Sequence, residues 1–135
     1  MNKVLTFMVG DLFHTGHLNL LERASKLGKV IVGVPSSWQI EEYTKKKPVI
    51  ISLEDRLRII SACKFVDYTF GYATDEDMIH SIDYIKPDIF FRGDDWKDFP
   101  AIHKLKRMGC KIVFFPYTKG ISSTEIKEKI CTKQC

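Results

Sequence analysis

The stretch Val4-Leu5-Thr6-Phe7-Met8-Val9-Gly10-Asp11-Leu12-Phe13-His14-Thr15-Gly16-His17-Leu18-Asn19-Leu20-Leu21-Glu22-Arg23-Ala24 decides the fold. Val4 to Val9 is an apolar run of strand length, and Leu18 onward carries apolar residues at helical spacing. Between them lies a short polar turn with a glycine and a pair of histidines three apart. A strand, a tight turn and a helix N-terminus form the unit with which α/β proteins hold phosphate.

The rest of the chain repeats this alternation. Gly16 to Leu27 reads as a helix ended by Gly28, and Val30 to Val34 as the second strand. Pro35 to Ile51 reads as a long, polar, lysine-rich connection. Ser52 opens a helix with Asp55 at capping-box spacing, and Val66 to Phe70 reads as a short strand. Thr74 caps a helix carrying Met78, Ile79, Ile82 and Ile85, which stops at Lys86-Pro87. Asp88 to Arg92 is a strand, Phe99 to Met108 a helix ended by Gly109, and Lys111 to Phe115 the last strand. Ser122 to Ile130 closes the pattern as a helix, with Ser122 and Glu125 again at capping-box spacing. Alternation of this kind predicts an open, mostly parallel sheet with helices on both faces, joined by right-handed crossovers. The 135 residues suit one domain over positions 1–135.

Composition narrows the function classes. A hydrophobic content of 44% with 28% charged residues is that of an ordinary water-soluble globular chain. The net charge of +4 is too small and too scattered for a nucleic-acid partner, but it is compatible with an anionic small-molecule pocket. No apolar run reaches membrane-span length, and the opening residues do not read as a signal peptide, so no membrane partner and a cytoplasmic location are expected. Cys63, Cys110, Cys131 and Cys135 lack metal-ligand spacing and read as reduced thiols.

Open parallel sheets bind ligands at the carboxyl ends of their strands. Three polar, glycine-containing segments fall there: Gly10 to His17, Gly93-Asp94-Asp95-Trp96, and Tyr117 to Thr124. The imidazole N–H groups of His14 and His17 could donate to phosphate oxygens as charge develops in a transition state, and Gly16 lets a ligand approach the backbone. Taken alone, the same histidines could cap and pack a helix. The free amides and hydroxyls of Gly120-Ile121-Ser122-Ser123-Thr124 form a second anion site, or merely an N-cap. Together, the two turns are better explained by a triphosphate held between two helix N-termini. Lys45, Lys47, Arg56 and Lys64 could supply cations, with Mg²⁺ sharing the neutralisation. Three consecutive lysines are also an ordinary solvated run. Asp11 either meets metal-bound phosphate or braces the turn. Asp94 and Asp95 either receive ribose hydroxyls or end a strand, and Trp96 either lines a nucleotide pocket or joins the core.

These motifs together resemble the small cytidylyltransferases of the H-x-G-H nucleotidylyltransferase superfamily, over nearly the whole chain. Leu12 to His17 with Leu20 to Ala24, then Gly93-Asp94-Asp95-Trp96, then Gly120 to Thr124 follow the order of the branch acting on glycerol 3-phosphate. The resemblance implies a Rossmann-like sheet, CTP as substrate, a divalent metal and a homodimer. It implies that His14 and His17 stabilise the transition state and that Lys45 and Lys47 contact phosphate as part of the catalytic group. It places the nucleotide on Val9, Gly10, Asp11, Gly16, Gly93, Asp94, Trp96, Tyr117, Gly120, Ile121, Ser122, Ser123 and Thr124, and the acceptor near Ser37, Arg56 and Lys64.

The chain departs from that pattern at Met8-Val9-Gly10, at Ser37 where an aspartate is common, and at Lys64 and Tyr117, which replace arginines. The string Pro116 to Thr124 also resembles cytidylyltransferase domains of phosphonate pathways. The expected acceptor is therefore a small phospho- or phosphono-alcohol, with glycerol 3-phosphate first and a hydroxyethylphosphonate-like or phosphocholine-like acceptor next. An adenylyltransferase and a nucleotide-binding module without turnover are the rival readings.

Overall fold

The computed structural model describes residues 1–44, 49–93, 101–116 and 118–133. Five strands alternate with helices: β1 (Lys3–Phe7), α1 (Thr15–Ser25), β2 (Lys29–Pro35), α2 (Ser37–Thr44), α3 (Leu53–Ser61), β3 (Tyr68–Tyr72), α4 (Asp75–Ile85), β4 (Ile89–Gly93), α5 (Ile102–Arg107), β5 (Lys111–Phe115) and α6 (Ser123–Lys133). All four strand pairings are parallel, in the order β3-β2-β1-β4-β5. The chain winds outward from β1 to β3, then crosses back to lay β4 on the other side of β1. This reversal opens a crevice above the carboxyl ends of β1 and β4.

Alternation along β1 divides the core. Val4 and Met8 pack with Leu21 and Ala24 of α1 and Ile60 of α3. Leu5 and Phe7 pack with Met78 and Ile82 of α4 and Ile102 and Leu105 of α5. Helices therefore cover both faces, and the central strands are apolar on each side, as parallel strands buried on both faces must be.

Local chemistry accounts for the element ends. Thr74 Oγ1 accepts from Asp77 N–H, and Asp77 returns the bond to Thr74 N–H at 3.2 Å. Lys86 then takes a left-handed φ of 52° before Pro87 and stops the helix. Ser52 and Ser122 each accept from the amide three residues on.

Several element bounds differ from the sequence reading, three of them for reasons the backbone and hydrogen bonds show. β1 ends at Phe7 rather than Val9, because Gly10 and Leu12 adopt left-handed backbone and turn the chain above the sheet. β3 lies two residues later than expected, because Val66 N–H bonds Cys63 O in the turn after α3 while Asp67 caps the start of β2. The segment read as a connection holds α2, opened by Ser36, whose hydroxyl accepts from Gln39 N–H at 3.1 Å. Among the described residues no helix is long and apolar enough to cross a membrane.

Candidate active site

The crevice contains a cavity of about 410 Å³, within the range of small-molecule sites. His14 and His17 line it, on the turn between β1 and α1. His14 is the N-cap of α1: its Nδ1 accepts from Gly16 N–H at 3.0 Å, while His17 Nδ1 accepts from His14 N–H at 3.1 Å. The two side chains thus make a capping box with imidazoles in place of the usual hydroxyl and carboxylate. A nitrogen that accepts an amide proton carries none of its own, so each neutral ring holds its proton on Nε2. The result is a pair of matched donors whose ring centroids lie 4.0 Å apart. Phe13 stacks on the His17 ring at 5.2 Å and helps fix that ring's plane.

The rings are kept neutral by their surroundings. Burial, then the neighbouring His14, pull the His17 pKa down to about 4, with partial opposition from Asp11. Burial also lowers His14, opposed by Glu125. His17 therefore binds its proton less readily in the folded chain than in the unfolded one, where the ordinary value is 6.5. Between those values the unfolded state holds more protons, so stability falls as pH drops from about 6.5 to about 4. Urea midpoints measured across that window should decline in wild type and decline less steeply in His17→Phe, where His14 still contributes.

Gly16 is fixed by this geometry. A Cβ there would lie 2.7 Å from His14 Cε1 and 2.9 Å from His14 Nδ1. Gly16→Ala should favour the helix by up to about 1 kcal/mol while pushing the His14 ring aside. The expected result is a melting temperature near wild type, the helix gain being offset by the weakened His14 cap, with a tenfold or larger loss of turnover, of the size that small misplacements cause.

α6 brings the second anion site to the first. Ile121, Ser122, Ser123 and Thr124 line the cavity beside Gly16, with Val9 and Gly93 nearby. Ser123 Oγ donates to the main-chain oxygen of Asp11, which joins the two turns. Gly120 has a φ of 82° and open space around it, as the entry to α6 requires.

Asp11 is 2% exposed. Its Oδ2 accepts from Ile50 N–H at 3.0 Å and pairs with Lys127 Nζ at 2.9 Å, and its Oδ1 accepts from Ile51 N–H at 3.0 Å. Burial alone would raise its pKa, but these two amides and the ammonium hold the carboxyl below its ordinary value. Of its two sequence readings, bracing is the one this geometry carries. Among the described residues no group of three or more His, Cys, Asp or Glu side chains could hold a metal. Asp11 is held by these partners in the turn and does not line the cavity.

Arg56 is fully buried. Its Nε donates to Ile51 O, its NH1 to Val9 O and Pro35 O, and its NH2 to Ser37 Oγ at 3.2 Å. Arg56 and Ser37 thus hold together the segments around the crevice and do not line the cavity. Lys64 lies elsewhere, in a shallow hollow with Phe13 and Cys63, its ammonium 5.2 Å from the Phe65 ring centroid. The three residues expected at the acceptor are therefore not brought to the cavity in this structure. Lys45, Lys47, Asp94, Trp96 and Tyr117 fall outside the described residues.

The cavity also exposes residues that the motifs did not flag. Gln39, Tyr72 and Asp75 form the wall on the β2–β3 side, and Arg92 faces them from β4. Thr6, at the floor, is 1% exposed and its hydroxyl has no hydrogen-bond partner among the described residues. Thr6→Val should stabilise the protein by about 1 kcal/mol, because an unpaired buried hydroxyl is costly. Thermal unfolding checks the sign.

Comparison with known proteins bears on this geometry. A family model described as Cytidylyltransferase-like matches residues 9–129. The chain is 38% identical over 133 residues to the glycerol-3-phosphate cytidylyltransferase of Bacillus subtilis (strain 168), covering 96% of this chain and 98% of that one. It is 34% identical to the bifunctional protein HldE of Desulfatibacillum aliphaticivorans, covering 94% of this chain but 26% of the longer protein. Among solved structures, the lipopolysaccharide core biosynthesis protein from Thermoplasma volcanium GSS1 superposes with a TM-score of 0.73 at 28% identity, covering 88% of this chain and 99% of that one.

Proposed function

From the premise that the chain belongs to the cytidylyltransferase-like family and is a nucleotidyltransferase, we propose that it transfers CMP from CTP to a small phosphorylated acceptor, with glycerol 3-phosphate first. The acceptor's phosphate oxygen attacks the α-phosphorus of CTP. A new phosphorus–oxygen bond forms, the bond between the α- and β-phosphates breaks, and pyrophosphate leaves. An acceptor phosphate is already largely ionised near neutral pH, so no general base is needed.

The observation that carries this reading is the pair of neutral imidazoles. Each has Nδ1 occupied by a main-chain amide and Nε2–H available, within the same cavity as the N-terminus of α6. Donors fixed in this way stabilise charge as it grows on the α-phosphate and need no reorganisation during reaction. The main-chain amides of Ser123 and Thr124, which open α6, suit the β- and γ-phosphates. Mg²⁺ would neutralise charge on the triphosphate and would arrive with it. Lys45 and Lys47 remain the proposed mobile cations, and Asp94, Trp96 and Tyr117 the proposed contacts to the nucleoside. A cytoplasmic homodimer is part of the reading and rests on the resemblance to relatives.

The test is pyrophosphate release with Mg²⁺, crossing CTP and ATP against glycerol 3-phosphate, hydroxyethylphosphonate, aminoethylphosphonate and phosphocholine. Turnover confined to CTP and one acceptor supports the proposal and names the acceptor. Turnover with ATP instead moves the chain to adenylyl transfer. CTP binding with no pyrophosphate from any pair favours a binding module.

A further inference from the structure

The wall of the cavity away from α6 is built by residues with no part in holding a triphosphate. Gln39 lies on α2, after β2, and Asp75 opens α4, after β3. Both belong to the half of the sheet opposite β4 and β5. Gln39 Nε2 donates to Asp75 Oδ1 at 2.9 Å, bridging the two helices across the cavity rim. Asp75 has no capping duty, because Thr74 and Asp77 form the complete capping box of α4 by themselves. Gln39 and Asp75 are both half-buried. The carboxamide orders one carboxylate oxygen, and Oδ2 carries the remaining acceptor capacity.

The histidine turn follows β1, the strand where the sheet order reverses, and both histidines line the same cavity as this wall and the α6 turn. With the triphosphate at the α6 turn and the nucleoside toward the ends of β4 and β5, the part of the cavity lined by Gln39 and Asp75 is left for the second substrate. This step rests on the cytidylyl-transfer reading. An oriented carboxylate rewards hydrogen-bond donors and rejects anions, and it leaves a donor-free alkyl end unsatisfied.

We propose that Asp75, oriented by Gln39, is a specificity-determining residue that selects acceptors whose far end donates hydrogen bonds, as a hydroxyl or primary ammonium does. Gln39 is a positioning residue that acts through it. Terminal hydroxyls and ammonium groups share this chemistry, and the two are separated by experiment.

The experiment compares wild type, Asp75→Asn and Gln39→Leu with glycerol 3-phosphate, 2-aminoethylphosphonate and n-propyl phosphate. Steady-state kinetics with CTP are read together with calorimetric binding of each acceptor in the presence of CMP. A lost hydrogen bond to a charged group should raise KM and Kd about tenfold or more for a donor-ended acceptor. The KM for CTP should stay within about twofold, as should values for n-propyl phosphate. The donor-ended acceptor that suffers this loss identifies which source the site reads. Gln39→Leu should give a smaller loss in the same direction. Equal losses on all three acceptors, no loss on any, or no acceptor binding to wild type would overturn the assignment. Absence of turnover in wild type, with acceptor binding still discriminated by Asp75→Asn, would overturn cytidylyl transfer and leave the assignment standing.

Discussion

His14→Ala and His17→Ala are each expected to lower kcat by about 10²–10³-fold, the loss that follows removal of one preorganised donor. The KM for CTP should change much less, because the Nε2–H groups gain most strength as charge accumulates on the α-phosphate. Both rings also have structural duties. His14 caps α1 through Gly16 N–H, and His17 receives His14 N–H. His14→Ala should therefore cost about 1 kcal/mol of stability as well. His14→Asn separates the two duties: asparagine is a good N-cap and keeps an acceptor for the Gly16 amide, but it cannot place an imidazole N–H over the cavity. Stability near wild type with turnover still depressed would assign the loss to the donor. Near-normal turnover in the alanine variants would remove the histidines from the proposed mechanism.

The same ring pair shows how far sequence carries. Histidines three apart around a glycine, after an apolar strand, located the turn and its helix. They did not reveal that each Nδ1 is taken by a main-chain amide, because that depends on the extended backbone of His14, whose φ is −141°. The parallel order followed from alternating strand and helix patterns, and the position of the crevice followed from that order. Arg56 misled for a physical reason: its charge suggested phosphate, but its place on α3 turns the guanidinium inward onto three carbonyls and a hydroxyl. α2 was hidden by its polar composition, although Ser36 and Gln39 stand at capping-box spacing and Gln39 N–H does bond Ser36 Oγ. Missing that helix also hid Gln39 and, across from it, Asp75. Lys127 had no local signal at all, since its partner is more than a hundred positions earlier in the chain.

That long-range pair sets the largest expected effect on stability. Asp11 ties three segments to one point: its carboxylate accepts from Ile50 and Ile51 N–H and pairs with Lys127, and its main-chain oxygen accepts from Ser123 Oγ. Asp11→Ala would take the carboxylate away from two amides and from a largely buried ammonium. A break of this kind costs about 3–5 kcal/mol, much of a typical domain's net stability. Urea unfolding should therefore show a greatly reduced midpoint. Lys127→Met should cost less, because the two amides still satisfy the carboxylate. The double variant should be less damaged than the sum of the singles, since the buried charges are then removed together. Acid dependence gives an independent check. Asp11 has a lowered pKa in the folded chain, so its contribution is present above the ordinary carboxylate value of 3.8 and is lost as pH falls through the lower folded value. Wild type should therefore go on weakening as acidification passes below the His17 window, and Asp11→Asn should weaken less over that lower range. Activity should fall with Asp11→Ala even where the protein remains folded, because the carboxylate sets the spacing between the histidine turn and the α6 turn. A variant that unfolds at the wild-type midpoint and turns over normally would show that the two turns are held together by other contacts.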